Sequence, residues 1–176
     1  MPKSRALIIA IAAIMIAVTA VFTLLVRVPI PATQGYFNFS DVAIYFAAFT
    51  FGPWIGLVAG GVGAALADIV GGWASYAPLT LFAHGLEGLA AGFLGRRKGL
   101  PGLIIAWLVG AVIMIAIYFV GEFWLYGYGP AAWAEVPVNL LQNVVGGLVG
   151  IPLFYAVRKA YPPVTRLAEG GAWREE

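Results

Sequence analysis

The sequence predicts an all-α membrane protein: a six-transmembrane-helix bundle with both its N and C termini in the cytoplasm. Three observations predict it. The 176 residues are 62% hydrophobic and only 10% charged, whereas a soluble domain carries about 25% charged residues. Apolar runs long enough to be helices are separated by Gly- and Pro-rich turn chemistry. Once those runs are drawn as crossings, the basic residues fall almost wholly on one side. The mean hydropathy of +0.93 agrees.

The first run, Ala6 to Val26, follows Lys3 and Arg5 and could imitate a secretory signal. It is longer than the roughly 7–15 residues of a signal h-region and has no convincing cleavage site before Arg27, so it reads as a retained span. Ala6, Ala10, Ala13, Ala17 and Ala20 recur at alternating spacings of four and three, drawing a stripe of small residues along one side. The loop "RVPIPATQGYFNFSD" comes next. Pro29 and Pro31 restrict it, Gly35 allows a turn, and its length suits a lid.

The second and third runs, 38–51 and 55–70, meet at Gly52-Pro53. Both are shorter than the about 20 residues of a crossing helix, so a re-entrant hairpin stands beside two full spans. Gly52, Gly56, Gly60 and Ala64 form a second small-residue stripe, and two stripes on so small a bundle suggest that one faces another protein. The remaining runs are 78–94, 102–120 and 136–157. Residues 1–160 form one membrane domain, and 161–176 a short polar cytoplasmic tail. With the N terminus inside, Lys3, Arg5, Arg96, Arg97, Lys98, Arg158, Lys159, Arg166 and Arg174 are cytoplasmic and only Arg27 is outside.

Titratable side chains inside a membrane are costly and mark function. "LTLFAHGLEGLAAG" holds the only histidine, His84, one turn from Glu87. Thr80, His84 and Glu87 share one helix face, as do Asn139, Gln142 and Asn143 on the last run. Both runs start outside. The two polar faces therefore meet roughly 9–13 Å into the membrane, at about 1.5 Å of rise per residue. Packing glue between helices is the plainer explanation for any one of them; their convergence at one depth points to a ligand pocket open to the outside. Asn38 and Asp41, at the end of the lid-like loop, serve either the pocket or the start of the second helix. Trp73 and Tyr76, with Trp124, Tyr126 and Trp133, lie near the outer boundary, where a belt of aromatic residues is expected and where one or two could stack on a flat ligand. Asp68 sits near the carboxyl end of its helix, where the dipole disfavours an anion. It needs a partner such as Arg27 or a tyrosine hydroxyl.

Some chemistry is missing. Without cysteine there are no disulfides, thiolate metal sites or cysteine nucleophiles. No phosphate loop is present to use ATP, no second histidine to build a zinc site, and no serine elbow beside His84. No catalytic and no metal-binding residues are assigned, the expectation is no enzyme, and a net charge of +2 makes no case for nucleic acid. No inverted repeat is visible, which argues against pseudo-symmetric secondary transporters.

"PIPATQGYFNFSD", "FGPWIGLVAGGVGAALADIVGG" and "YAPLTLFAHGLEGLAAG" resemble the substrate-binding S components of energy-coupling factor (ECF) vitamin transporters, in their riboflavin-type branch. The resemblance is strongest over residues 27–95. It implies a six-helix bundle in the plasma membrane of a prokaryote, binding a vitamin or vitamin precursor in its outer half beneath the first outer loop. It also implies partners: a transmembrane coupling subunit, contacted through alanines that Ala13 and Ala17 match, and two cytoplasmic ATPases. ATP would be used by those partners, with no cofactor on this chain. Glu87 beside His84, with amides opposite, suits a heterocycle bearing amino and hydroxyl groups. A hydroxymethylpyrimidine or thiamine-like compound comes first, then pyridoxine, riboflavin and lipoate. The alternatives are a stand-alone proton-coupled carrier using Glu87 as its proton site, and an intramembrane enzyme.

Overall fold

Runs this apolar must satisfy their backbone groups internally, which in a membrane favours helices. The computed structural model describes residues 5–95 and 98–164. Helix α1 (Arg5–Leu25) leads into an antiparallel hairpin of β1 (Val28–Ile30) and β2 (Gly35–Phe37). Helices α2 (Ser40–Phe51), α3 (Pro53–Gly71), α4 (Ala77–Gly95) and α5 (Leu100–Leu125) follow. A 3-10 turn, Gly129–Ala134, then enters α6 (Glu135–Ala160). All of these helices except α2 are long and apolar enough to cross a membrane. The protein is thus an all-α membrane protein apart from its one small hairpin, which the sequence patterns did not announce. Lys3, Arg96, Arg97, Arg166, Arg174 and most of the 161–176 tail lie outside the described residues.

Close backbone approach sets the helix directions. A Cβ on Gly56 would lie 2.5 Å from the Gly88 carbonyl oxygen, and one on Gly60 would strike the His84 carbonyl. Helices α3 and α4 are therefore antiparallel and almost touch, as small residues permit. Gly146 faces Asp41, and a Cβ on Gly150 would lie 3.1 Å from the Tyr45 Cβ, so α2 runs parallel to α6. The glycine stripe of α3 is thus consumed by internal packing. The alanine stripe of α1 is not: Ala6, Ala10, Ala13 and Ala17 are all exposed.

The third run is longer than its pattern promised, because Pro53 opens the helix at its first turn and the helix continues to Gly71 for 19 residues. Helix α2 has only 12, about 18 Å at 1.5 Å per residue. Its first turn lies beside Gly146, 11 residues into α6. The chain reaches that level through the hairpin, which dips between the helix ends. One end of the bundle is a dry core of Tyr45, Ala48, Phe49, Ala91, Leu103, Ala106, Ile151 and Phe154. The hairpin plugs the other end, and the polar residues collect beneath it.

Candidate functional site

The cavity under the hairpin is built by several elements, each contributing through a local feature. Helix α4 supplies Thr80 and His84, and α6 supplies Asn139 and Gln142, on the faces their three- and four-residue spacing requires. The loop before α2 adds Asn38, and Tyr76 enters from the turn before α4. The remaining wall includes Thr23, Tyr36, Asp68, Tyr118, Glu122 and Glu135. A π-helical turn over Gly121–Leu125 re-registers the end of α5, and Glu122 is fully buried there. The cavity holds about 370 Å³ of atom-free space, part of it open to solvent.

At the cavity floor His84 Nδ1 lies 2.7 Å from Glu87 Oε2 and 3.5 Å from Asp41 Oδ1. All three side chains are buried. Gln142 ties this group to the loop: its Nε2 donates to Asp41 Oδ1 at 3.1 Å, and its Oε1 accepts from the Asn38 backbone N–H at 2.9 Å. Ligand atoms of Asp41, His84 and Glu87 all fall within 4.8 Å of one another, close enough to surround one cation or share one proton. The sequence holds no second histidine or cysteine for such a group, and the third member is a carboxylate that folding brings in from α2.

Of the ten residues singled out from sequence, Asn38, Tyr76, Thr80, His84, Asn139 and Gln142 line the cavity. The other four lie beside it. Glu87 is behind His84. Asp41 is under Gln142 and Ser40, whose hydroxyl donates to it at 3.1 Å. Asn143 is one step deeper, accepting from the Tyr45 hydroxyl at 2.5 Å and taking the Trp107 indole N–H on its carbonyl at 2.8 Å. Trp73 is outside, where its indole N–H holds the Gln34 carbonyl at 2.7 Å and its ring meets Tyr36 at 4.5 Å. That bond pins the hairpin tip at Gln34, the one non-glycine residue with positive φ (61°) among those described. Asn38 is not the cap of α2, whose N-cap is Phe39 without a side-chain cap bond; it sits one residue earlier, and its Oδ1 accepts from the Ser40 N–H at 2.8 Å in the turn that enters the helix.

Asp68 has the tyrosine partner its position called for: the Tyr36 hydroxyl donates to it at 2.5 Å. Burial, with Asp68 beside it, holds the Tyr36 phenol well above its ordinary range, so it stays a donor. Tyr76 donates to the Thr33 carbonyl at 2.7 Å and reaches Glu122 at 3.3 Å, while the Thr33 hydroxyl bonds to Glu135. Burial first, then Glu122, raises the Tyr76 phenol too. Tyr118, whose hydroxyl donates to Thr80 at 2.9 Å, gave no periodic signal in its apolar run, and Glu122 fell just past that run, in what read as the last outer loop. Glu135 sat in what looked like a loop.

Residues 4–159 match the family described as the S component of the ECF-type riboflavin transporter. Over 145 residues the chain is 41% identical to an uncharacterized protein of Pyrococcus woesei, covering 82% of this chain and 97% of that relative. Over 135 residues it is 36% identical to the thiamine precursor transporter HmpT of Lactococcus lactis subsp. cremoris (strain MG1363), covering 76% and 77% of the two chains.

Proposed function

The chain belongs to the S-component family of ECF-type riboflavin transporters, and from that premise we propose that it captures a hydroxymethylpyrimidine or thiamine-like compound from outside and hands it to a coupling module. One observation carries the ligand class. The cavity floor is built to accept: Glu87 and Asp41 both face Nδ1 of His84, at 2.7 and 3.5 Å, which leaves Nε2 of the cavity-lining imidazole, beside the Asn139 and Gln142 amides, to accept from a ligand. A donor-rich heterocycle satisfies such atoms, whereas a flat ligand bearing mostly carbonyls does not. The name of the Lactococcus relative points the same way.

In this reading Thr80, His84, Asn139 and Gln142 touch the ligand, with Asn38 and Tyr76 closing over it. Glu87 and Asp41 act through His84 and Gln142. If Nδ1 of His84 donates to Glu87, its Nε2 is left as an acceptor for a ligand N–H. The hairpin is the lid, and Trp73 anchors its tip. The chain crosses the membrane six times. Its short α2 suffices because the hairpin covers the remaining depth. Both termini are cytoplasmic: Arg5, Lys98, Arg158 and Lys159 gather at the dry-core end, and Arg27 lies at the hairpin end. The exposed alanine face, with Ala13 and Ala17 at its middle, receives the transmembrane coupling subunit, and two partner ATPases hydrolyse ATP. The setting is the plasma membrane of a prokaryote, and the chain is no enzyme.

Reconstitution tests this. Proteoliposomes with this chain alone should bind labelled hydroxymethylpyrimidine or thiamine but not accumulate it; accumulation should need the coupling subunit, the ATPases and ATP. Uptake by the chain alone under a pH gradient would make it a proton-coupled carrier, with the Asp41–His84–Glu87 group as its proton site.

A further inference from the structure

The floor of the cavity accounts for its amides and histidine, but leaves a second acidic group unexplained at the outer end. Asp68, Glu122 and Glu135 all line the cavity there. Their side chains are buried, with residue exposures of 2%, 0% and 2%. The Tyr36 and Thr33 hydroxyls each bond one oxygen, of Asp68 and Glu135, whereas the Tyr76 hydroxyl, which donates to the Thr33 carbonyl at 2.7 Å, lies 3.3 Å from Glu122 Oε1. Asp68 Oδ2 and Glu122 Oε2 remain buried with no partner.

Among the described residues no lysine or arginine lines the cavity. Arg27, the nearest by sequence, is occupied elsewhere: its guanidinium donates to the Gly71 carbonyl at 2.9 Å and sits 5.3 Å above the Trp73 ring. Buried carboxylates without a counter-charge are costly, so without a ligand the site holds protons on them, and an organic cation entering from outside can take the place of those protons. The rings of Tyr36, Tyr76 and Tyr118 border the same space, and aromatic faces attract organic cations. A phosphate or carboxylate group would meet like charge in the same place.

We infer that the outer half of the cavity is a subsite for an organic cation, so that the protein selects a positively charged heterocycle over its neutral fragment and over its phosphate ester. The inference rests on the cavity being the vitamin pocket proposed above. The ligand then has two parts: a donor-bearing ring held deep by His84, Asn139 and Gln142, and a cationic group held beneath the hairpin by Asp68, Glu122 and Glu135.

Three probes test it by calorimetric titration of the purified protein: thiamine, which joins an aminopyrimidine to a thiazolium cation; hydroxymethylpyrimidine, which is the neutral fragment; and thiamine monophosphate. Thiamine should bind about tenfold or more tighter than either of the others, from the size of one charge-assisted contact. Glu122→Gln and, independently, Asp68→Asn should weaken thiamine by about tenfold while moving hydroxymethylpyrimidine by less than about twofold. Retained binding of the neutral fragment reports that each variant is folded. A loss shared equally by both ligands would assign these carboxylates to holding the lid and overturn the cation subsite. Hydroxymethylpyrimidine binding as tightly as thiamine would overturn it as well, with the pocket reading intact. No binding of any probe to the unaltered protein would overturn both.

Discussion

Glu87→Gln is the most informative perturbation of the cavity floor. Glu87 is fully buried with Oε2 2.7 Å from His84 Nδ1, while His84, not Glu87, faces the cavity. Glutamine keeps the volume and an acceptor oxygen but removes the charge. A hydrogen bond to a charged group is worth about 1.5–3 kcal/mol and a neutral one about 1 kcal/mol. The change therefore costs about 0.5–2 kcal/mol in how firmly the imidazole is held with Nε2 bare. At about 1.4 kcal/mol per factor of ten, ligand affinity should fall about 2- to 30-fold. The glutamine amide can also turn its NH₂ toward Nδ1, which would move the imidazole proton to Nε2 and face a ligand donor with a donor. Calorimetric titration with hydroxymethylpyrimidine or thiamine reads the affinity, and nitrogen NMR of the single histidine reads its tautomer. Unchanged affinity together with an unchanged tautomer would refute the claim that Glu87 works through His84. A lowered melting temperature with neither effect would leave it a packing residue.

Asn143→Leu should act on stability instead, because it removes the nearer acceptor of the buried Tyr45 hydroxyl and leaves it the Trp107 carbonyl at 3.3 Å; a loss of about 1 kcal/mol should appear in melting curves while ligand affinity hardly moves. Ala13→Trp or Ala17→Trp adds bulk to an exposed face of α1, so ligand binding should persist and copurification with the coupling subunit should fail. Loss of binding with assembly intact would place that face inside the bundle. Cysteines at Lys98 and at the exposed Ala131 should react with an impermeant reagent from opposite sides of the membrane, and labelling from one side would remove the six-crossing topology.

Helix number, membrane class and the polar faces of α4 and α6 were legible in the sequence because each depends on a period within one element. Thr80, His84, Asn139 and Gln142 follow from spacing alone, and they line the cavity. Which of two small-residue stripes is buried was not legible, since a stripe says only that something can approach. Only packing decided that Gly56 meets Gly88 while Ala13 and Ala17 stay exposed. The same holds for the acids. Asp41, Asp68, Glu122 and Glu135 come from different elements, and their partners are 32 to 102 residues away. Glu122 is turned inward by a π-helical turn that leaves no periodic mark, and Glu135 reaches Thr33 only because the hairpin descends between the helix ends. Local periodicity fixes a face and a depth. Which faces meet depends on close contacts between distant segments, and those exist only in the folded bundle.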